Sequence, residues 1–342
     1  MIDAASLPLK SASTTLVTVT YADRMHFLQE LLHRAFETEG LANALIVSNA
    51  SRSDLSKLEE KWGSRIRIVR LAENTGSANG YAEGIRAALE AGAGYLWLMD
   101  DDNAPKPGAL GVLHRKLDEL AAQFGRDRAA VLGFRPDHQA DIAAGVVASK
   151  AVPPRSSFIG FHYRQIPFKI WRRLIRGRLG SSGPVETVRL PYAPYGGLLA
   201  SRDLFERIGL PKRELVLYAD DTEYTYRITA SGGAIEVMTG AELDDMEGSW
   251  NLKSRHPNAF IGWLKGESDL RAFYGLRNQV WFDRNRWVTS TLEYRINQLI
   301  FIGLLKFYAK RTGSPARLRL LMRAIRDGQA SSLGIEPELP LS

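Results

Sequence analysis

Tyr95-Leu-Trp-Leu-Met-Asp-Asp-Asp102 decides how the rest of the chain is read. An unbroken apolar run of this length fits a strand buried on both faces, and three carboxylates follow it at once. Strands of that kind belong to parallel sheets covered by helices. Upstream, Thr14–Thr20 is β-branched and predicts a strand. Arg24–Thr38 carries apolar residues at a helical period. Ala44–Ser48 reads as strand, Ser53–Trp62 as helix, Arg65–Leu71 as strand and Ser77–Ala91 as helix. Pro107–Phe124 then reads as helix, with Pro107 in its first turn. The alternation predicts an α/β fold, a mainly parallel, Rossmann-like sheet flanked by helices. Ligands of such sheets sit outside the carboxyl ends of the strands. The informative segments are therefore Thr20–Arg24, Ser48–Ser51, Ala72–Gly80 and Asp100–Asn103.

From about Pro136 to Gly183 prolines, glycines and cations break the alternation, which predicts an inserted loop region. Strands are expected again at Val185–Leu190, Gly196–Ala200, Ile235–Met238 and Glu242–Met246. Helices are expected at Arg202–Ile208 and Thr222–Ala230, and throughout after Asn258. At about 100–200 residues per domain, 342 residues divide naturally into 1–257 and a helical, basic 258–342.

The chain has no cysteine, which excludes disulfides, thiolate metal sites and a cysteine nucleophile. The net charge of +7 points to polyanionic partners. Cations concentrate at Tyr163–Arg178 and Gly303–Asp327. No motif for RNA or DNA accompanies them, so nucleic acid is not expected. No secretory leader or bilayer-spanning run is legible, and a cytoplasmic protein is expected. Ile296–Phe307 and Ala316–Arg326 mix apolar residues with cations, as interfacial helices do. The plain alternative is a pair of packing helices with a solvated basic side.

Two acidic clusters carry the chemistry. Asp100 and Asp102, alternate residues at a strand end, are able to face one way and share a hard divalent ion. The second, Leu217-Tyr-Ala-Asp-Asp-Thr-Glu223, opens a helical pattern. Asp220 as N-cap and Glu223 three residues on would make an acidic capping box, leaving Asp221 as a candidate general base. Gly76, Gly80 and Gly84, four apart, fall on one helical face and permit close approach of backbone or ligand.

Taken in order, Thr20-Tyr-Ala-Asp-Arg24, Ser48-Asn-Ala-Ser51, Asn74-Thr-Gly-Ser-Ala-Asn-Gly80, the triple Asp and Asp220-Asp-Thr-Glu223 resemble a family 2 glycosyltransferase of GT-A fold. The nearest group is that of galactofuranosyl- and rhamnosyl-transferases, which also share a segment like Tyr274-Gly-Leu-Arg-Asn278. The resemblance implies a nucleotide-sugar donor, an inverting transfer and a Mn2+ or Mg2+ ion. It places Thr20, Tyr21, Arg24 and Asn49 beside base and ribose, and Asn74, Gly76 and Asn79 along the donor. Asp100 and Asp102 would form the DxD pair, with Asp101, Asp220 and Trp250 lining the substrate and Asp221 as base. A third metal ligand is expected near Trp250, where Glu247 stands, with His256 further on. The acceptor implied is a bacterial surface polysaccharide or lipid-linked glycan, which would set the protein on the anionic inner face of the membrane.

Two other functions fit parts of the pattern. A nucleotidyltransferase would use a similar sheet but needs a glycine-rich basic loop where Tyr21-Ala-Asp-Arg24 stands. A non-catalytic nucleotide- or membrane-binding module would tolerate neutralised carboxylates.

Overall fold

The computed structural model describes residues 6–139, 142, 152–167, 185–247 and 256–341. Helix α1 (Ser6–Ser13) leads into β1 (Thr14–Thr20), followed by α2 (Met25–His33), β2 (Asn43–Asn49), α3 (Ser56–Trp62), β3 (Ile66–Leu71) and α4 (Ser77–Glu90). Next come β4 (Tyr95–Asp100), β5 (Asn103–Pro105), α5 (Ala109–Phe124) and β6 (Ala129–Phe134). Past the loop region lie β7 (Thr187–Leu190), β8 (Leu198–Ser201), α6 (Arg202–Ile208), α7 (Asp220–Ala230) and β9 (Ala234–Asp245). Four helices close the chain: α8 (Ala259–Lys265), α9 (Asp269–Phe282), α10 (Thr291–Thr312) and α11 (Pro315–Ala330).

Among the described residues the strands form one sheet in the order β3-β2-β1-β4-β8-β6-β9-β5, with β7 also on β9. Strands β1 to β4 are parallel, as expected, and β6 pairs with β9 in parallel. Strand β8 runs antiparallel between β4 and β6. Both faces are apolar because successive residues alternate sides. Leu16, Ile46, Trp97 and Met99 pack with α2 and α5 on one face. Val17, Leu45, Leu98 and Leu132 pack with α4, α6 and α7 on the other. Phe158 joins the separate core of α8 to α11, with Phe273, Leu305 and Leu321.

Three local expectations are corrected. The strands expected at Ile235–Met238 and Glu242–Met246 are one strand, β9, whose pairing with β6 shifts register at Gly133 and Phe134. The β7 pairing ends at Met238 and the β5 pairing starts at Leu243, and the strand runs unbroken between its two partners. Gly76 is not on the helical face of Gly80 and Gly84. It precedes α4 at φ +85, where a Cβ would lie 2.1 Å from the Val216 carbonyl oxygen. Gly80 and Gly84 instead admit Val19 and Val17 of β1, so their small size serves helix–sheet packing. Asp220 is not the N-cap of α7; Ala219 is, at φ +58, and caps with no side chain.

Candidate active site

The end of β4 delivers Asp100, Asp101 and Asp102 to the carboxyl edge of the sheet, where the turn after β1 meets them. Arg24, only 7% exposed, reaches across. Its Nε donates to both Asp101 oxygens at 2.9 and 3.0 Å, and its Nη2 to Asp102 at 2.8 Å. The same Nη2 pairs with Glu247 at 2.8 Å. The Tyr21 and Phe27 rings lie 5.2 and 4.9 Å from the guanidinium. The turn is fixed by Ala22 at φ +49, whose carbonyl accepts the Ser51 hydroxyl at 2.9 Å and the Arg52 N–H at 2.6 Å.

Burial pushes Asp101 up to about 6, against the pull of Arg24. Burial and the charges of Asp100 and Asp101 raise Asp102 as well, whereas the hydrogen bond from Arg24 holds Glu247 below its ordinary range. Carboxylates packed this closely resist full ionisation until a further cation arrives, and their oxygens suit a hard one. Asp100 turns elsewhere. It accepts from the Tyr81 phenol at 2.9 Å and from Arg135 at 3.0 Å, while Arg135 also donates to Asn103 at 2.9 Å. A Cβ on Gly196 would lie 2.4 Å from the Asp100 carboxylate and 2.9 Å from Arg135, so only glycine fits there.

Asp100 and Asp102 thus pair with different cations, Arg135 and Arg24, and are linked through Asn103, which accepts from Arg135 and donates to Asp102 at 3.0 Å. Among the described residues no group of three or more His, Asp or Glu is arranged to hold a metal ion. No ion pair or hydrogen bond among the described residues joins His256 to the carboxylates. Trp250 lies outside the described residues, as do Lys169 to Arg178 of the first basic run.

The second cluster is set by a strained loop. Val216, Tyr218 and Ala219 all have positive φ. The Asn278 amide holds this loop by donating to the carbonyls of Leu215, Leu217 and Tyr218 at 2.5, 2.8 and 3.1 Å. The Ala78 N–H donates to the Val216 carbonyl at 3.1 Å, tying the loop to α4. Asp220 and Asp221 then open α7. Asp220 accepts the Ser77 hydroxyl at 3.0 Å, and burial with the charge of Asp221 raises its pKa. Asp221 accepts the Thr222 N–H at 2.6 Å. Burial, with the Asp100 charge adding and Arg135 opposing, pushes it up to about 6. Asp221 therefore feels the charge of the first cluster, opposed by Arg135, which itself pairs with Asp100.

Asn49, Asn74 and Asn79 form one network. The Asn49 amide donates to Asn74 at 3.0 Å and to the Gly76 carbonyl at 3.1 Å, and its oxygen accepts the Thr75 N–H at 2.9 Å. Asn79 donates to the Thr75 hydroxyl at 2.8 Å. With Asn49 3% exposed, its polar atoms shape the loop before α4. Thr20 is buried at the end of β1 and Tyr21 stands exposed beside it.

Two cavities flank the carboxylates. One of about 540 Å3 lies at the ends of β2 and β3, lined by Ser48, Ser51, Ser53, Asp54 and Arg70. The other, of about 380 Å3, is aromatic, lined by Tyr192, Tyr218, Trp263, Arg271 and Gln279. Tyr192 feels the charges of Asp283 and Asp221, which sets this cavity beside α7.

Arg135, Gly196 and Asn278 were not singled out as site residues from sequence. Arg135 follows β6, so the strand-end rule that found Asp100 would have found it. Asn278 carried a signal, the Tyr274–Asn278 segment, but no role.

Residues 15–171 match the family model described as glycosyl transferase family 2. No curated protein matches significantly. The fold is similar to that of GalNAc-T7 with UDP, GalNAc and Mn2+, at TM-score 0.51 and 16% identity over 94% of this chain. The chain spans 55% of that protein's length. More distant likenesses are to S. aureus TarS 1-349 and to mannosyltransferase PcManGT from Pyrobaculum calidifontis. Each is 13% identical over 93% of this chain, covering 90% and 87% of theirs, at TM-scores of 0.45 and 0.48. The family match spans just under half of the chain, and the likeness to the GalNAc-T7 structure shows the fold, a mainly parallel sheet flanked by helices with a helical C-terminal region.

Proposed function

We propose that the protein is an inverting glycosyltransferase. It moves a hexosyl unit, galactofuranose or rhamnose by resemblance, from a nucleotide-diphosphate sugar to a surface polysaccharide or lipid-linked glycan. The observation that carries the reading is that Asp221, buried at the start of α7, feels the charges of Asp100 and Arg135 at the sheet edge. A carboxylate raised to about 6 is still ionised at neutral pH and is a stronger base than an ordinary aspartate.

In this reading the nucleotide lies along the ends of β1 to β3, with Thr20, Tyr21 and Arg24 beside it and the larger cavity for its base. Asn49 and Asn74 hold the loop that Gly76 and Asn79 present to the donor. The acceptor enters by the aromatic cavity. Its hydroxyl gives its proton to Asp221 as its oxygen bonds the anomeric carbon from the far side. The bond from that carbon to the diphosphate oxygen breaks, and its electron pair leaves with the nucleoside diphosphate. Arg135 stays paired with Asp100 beside the reacting centre and opposes the build-up of negative charge. By resemblance Asp100 and Asp102, with Glu247 or His256, would hold Mn2+ or Mg2+, although the described residues bring no three of them together. Such an ion, when bound, supplies counter-charge for the departing diphosphate. An acceptor held on lipid would place the enzyme on the inner face of the membrane. Residues 1–257 would then form the catalytic unit.

The test is thermal melting with UDP-galactofuranose, UDP-hexoses, dTDP-rhamnose and GDP-mannose, with and without Mn2+, followed by product analysis. A ligand at 100 times its Kd stabilises the folded state by about 2.7 kcal/mol. Metal-dependent stabilisation by one donor, and sugar transfer from it, support the reading. The absence of any shift and of any product overturns it.

A further inference from the structure

Sequence alone treats the two basic C-terminal helices alike, but the structure separates them. Helix α11 buries Leu321, Ala324 and Ile325 in the helical core. It packs so closely on α9 that a Cβ on Gly328 would lie 2.3 Å from the Arg277 carbonyl oxygen. Its exposed side carries Arg319 and Arg326 and no exposed large apolar residue. It is a packing helix with a solvated basic face.

Helix α10 differs. Tyr294, Phe301, Leu305 and Ala309 face the core. The opposite side exposes Leu292 at 71%, Leu299 at 72%, Phe307 at 52% and Ile300 at 36%. Arg295, Gly303, Lys306, Lys310 and Arg311 are exposed on the same side. At 3.6 residues per turn these positions fall within an arc of about 160°, along a helix about 33 Å long. No ion pair among the described residues engages those four cations. The one acid of the helix, Glu293, pairs with Arg164 at 2.6 Å.

We infer that this outward stripe of α10 is a docking surface for an anionic lipid bilayer. Solvent alone does not account for four large apolar side chains on one face, interleaved with four cations, when the one acid at the edge of that face, Glu293, is already paired with Arg164. A second copy of the chain is a poor occupant, since a two-fold pairing sets four cations against four. A bilayer with anionic headgroups meets both halves of the pattern, apolar side chains entering the acyl boundary and cations lying among the headgroups. No helix among the described residues is long and apolar enough to cross a membrane, so α10 would lie in the interface plane. The inference gives the membrane side of the proposed function a physical location, and it is tested without donor or acceptor.

The test is co-sedimentation of the full chain with phosphatidylcholine vesicles, with and without phosphatidylglycerol, at low salt. Binding to the anionic vesicles alone is expected. At about 1 kcal/mol per cation, Lys306→Gln with Lys310→Gln should weaken it roughly 30-fold. Leu299→Gln with Phe307→Gln should also weaken it while leaving the melting temperature unchanged, because both side chains are exposed. Arg319→Gln with Arg326→Gln, the same loss of charge on α11, should leave binding intact. Absence of binding overturns the inference, as does an equal loss from the α11 pair. Concentration-dependent dimerisation abolished by Leu299→Gln, seen by sedimentation velocity, also overturns it. Sugar transfer to a soluble acceptor by a non-binding protein would refute the surface and leave the enzyme reading standing.

Discussion

Replacing Asn278 with alanine probes how the loop that leads into Asp220 and Asp221 is held. The side chain is fully buried, and its amide donates to three carbonyls. The Leu215 carbonyl retains the Leu217 N–H at 2.7 Å, so Leu217 and Tyr218 are the two that lose this donor. A buried acceptor left unmet costs about 1–3 kcal/mol, and these two residues are half-buried, so water recovers part of it. The left-handed residues Val216, Tyr218 and Ala219 each store about 1–3 kcal/mol of strain that the contacts must overcome. Once Asn278 is gone the loop relaxes and returns some of that energy. The net loss expected is about 2–3 kcal/mol, read as a lower urea midpoint at unchanged slope. Because relaxation moves Asp221, turnover should fall by more than the unfolded fraction explains. Asn278→Asp keeps the volume but sets a carboxylate against carbonyls, and should be worse than alanine. An Asn278→Ala protein within about 0.5 kcal/mol of wild type, with full turnover, would refute the role given to this side chain.

Other consequences follow from the same contacts. Arg24→Met leaves Asp101 buried without its partner, a change that typically costs about 3–5 kcal/mol. Asp101 already sits near 6, so protonation should relieve the loss as pH falls, and urea midpoints at pH 8 and pH 5 check this. Gly196→Ala drives a methyl into Asp100, Asn103 and Arg135 and should cost about 1–3 kcal/mol with a marked loss of turnover. Wild-type melting and activity in that variant would contradict the geometry. Asp283, fully buried, is pushed up to about 7 by burial, against the Ile159 N–H and Gln279 amide that hydrogen-bond it. Its folded state holds the proton more tightly than its unfolded state, so its contribution is greatest below pH 4 and is lost as pH rises through about 7. Asp283→Asn removes that dependence and should gain roughly 2–3 kcal/mol on wild type between pH 5 and pH 8, measured by urea unfolding. Parallel pH curves for the two proteins would contradict it.

The sheet was largely legible because its strands are apolar runs or β-branched segments separated by helical periods. Tyr95–Met99 and Thr14–Thr20 needed no tertiary information. Strand β5 was not found, since three residues ending in Pro105 carry no periodicity and pair only because β9 passes beside them. The Asp220 cap failed for a related reason. Side-chain rules assume the loop before a helix is free to choose its cap, whereas Asn278, over 50 residues downstream, fixes Ala219 in a left-handed conformation. Both acidic clusters were visible as motifs. That Asp221 feels the charges of Asp100 and Arg135 was not, because no local pattern reports which strand ends become neighbours.

Asp221→Asn tests the central claim most directly. Turnover should fall by at least about 10²-fold, the lower range for loss of a general base. Donor affinity, measured in parallel by calorimetry, should be unchanged, and the wild-type rate should fall as pH drops through about 6 as the base takes up a proton. Normal turnover in Asp221→Asn, or a wild-type rate flat from pH 5 to pH 8, would contradict the account.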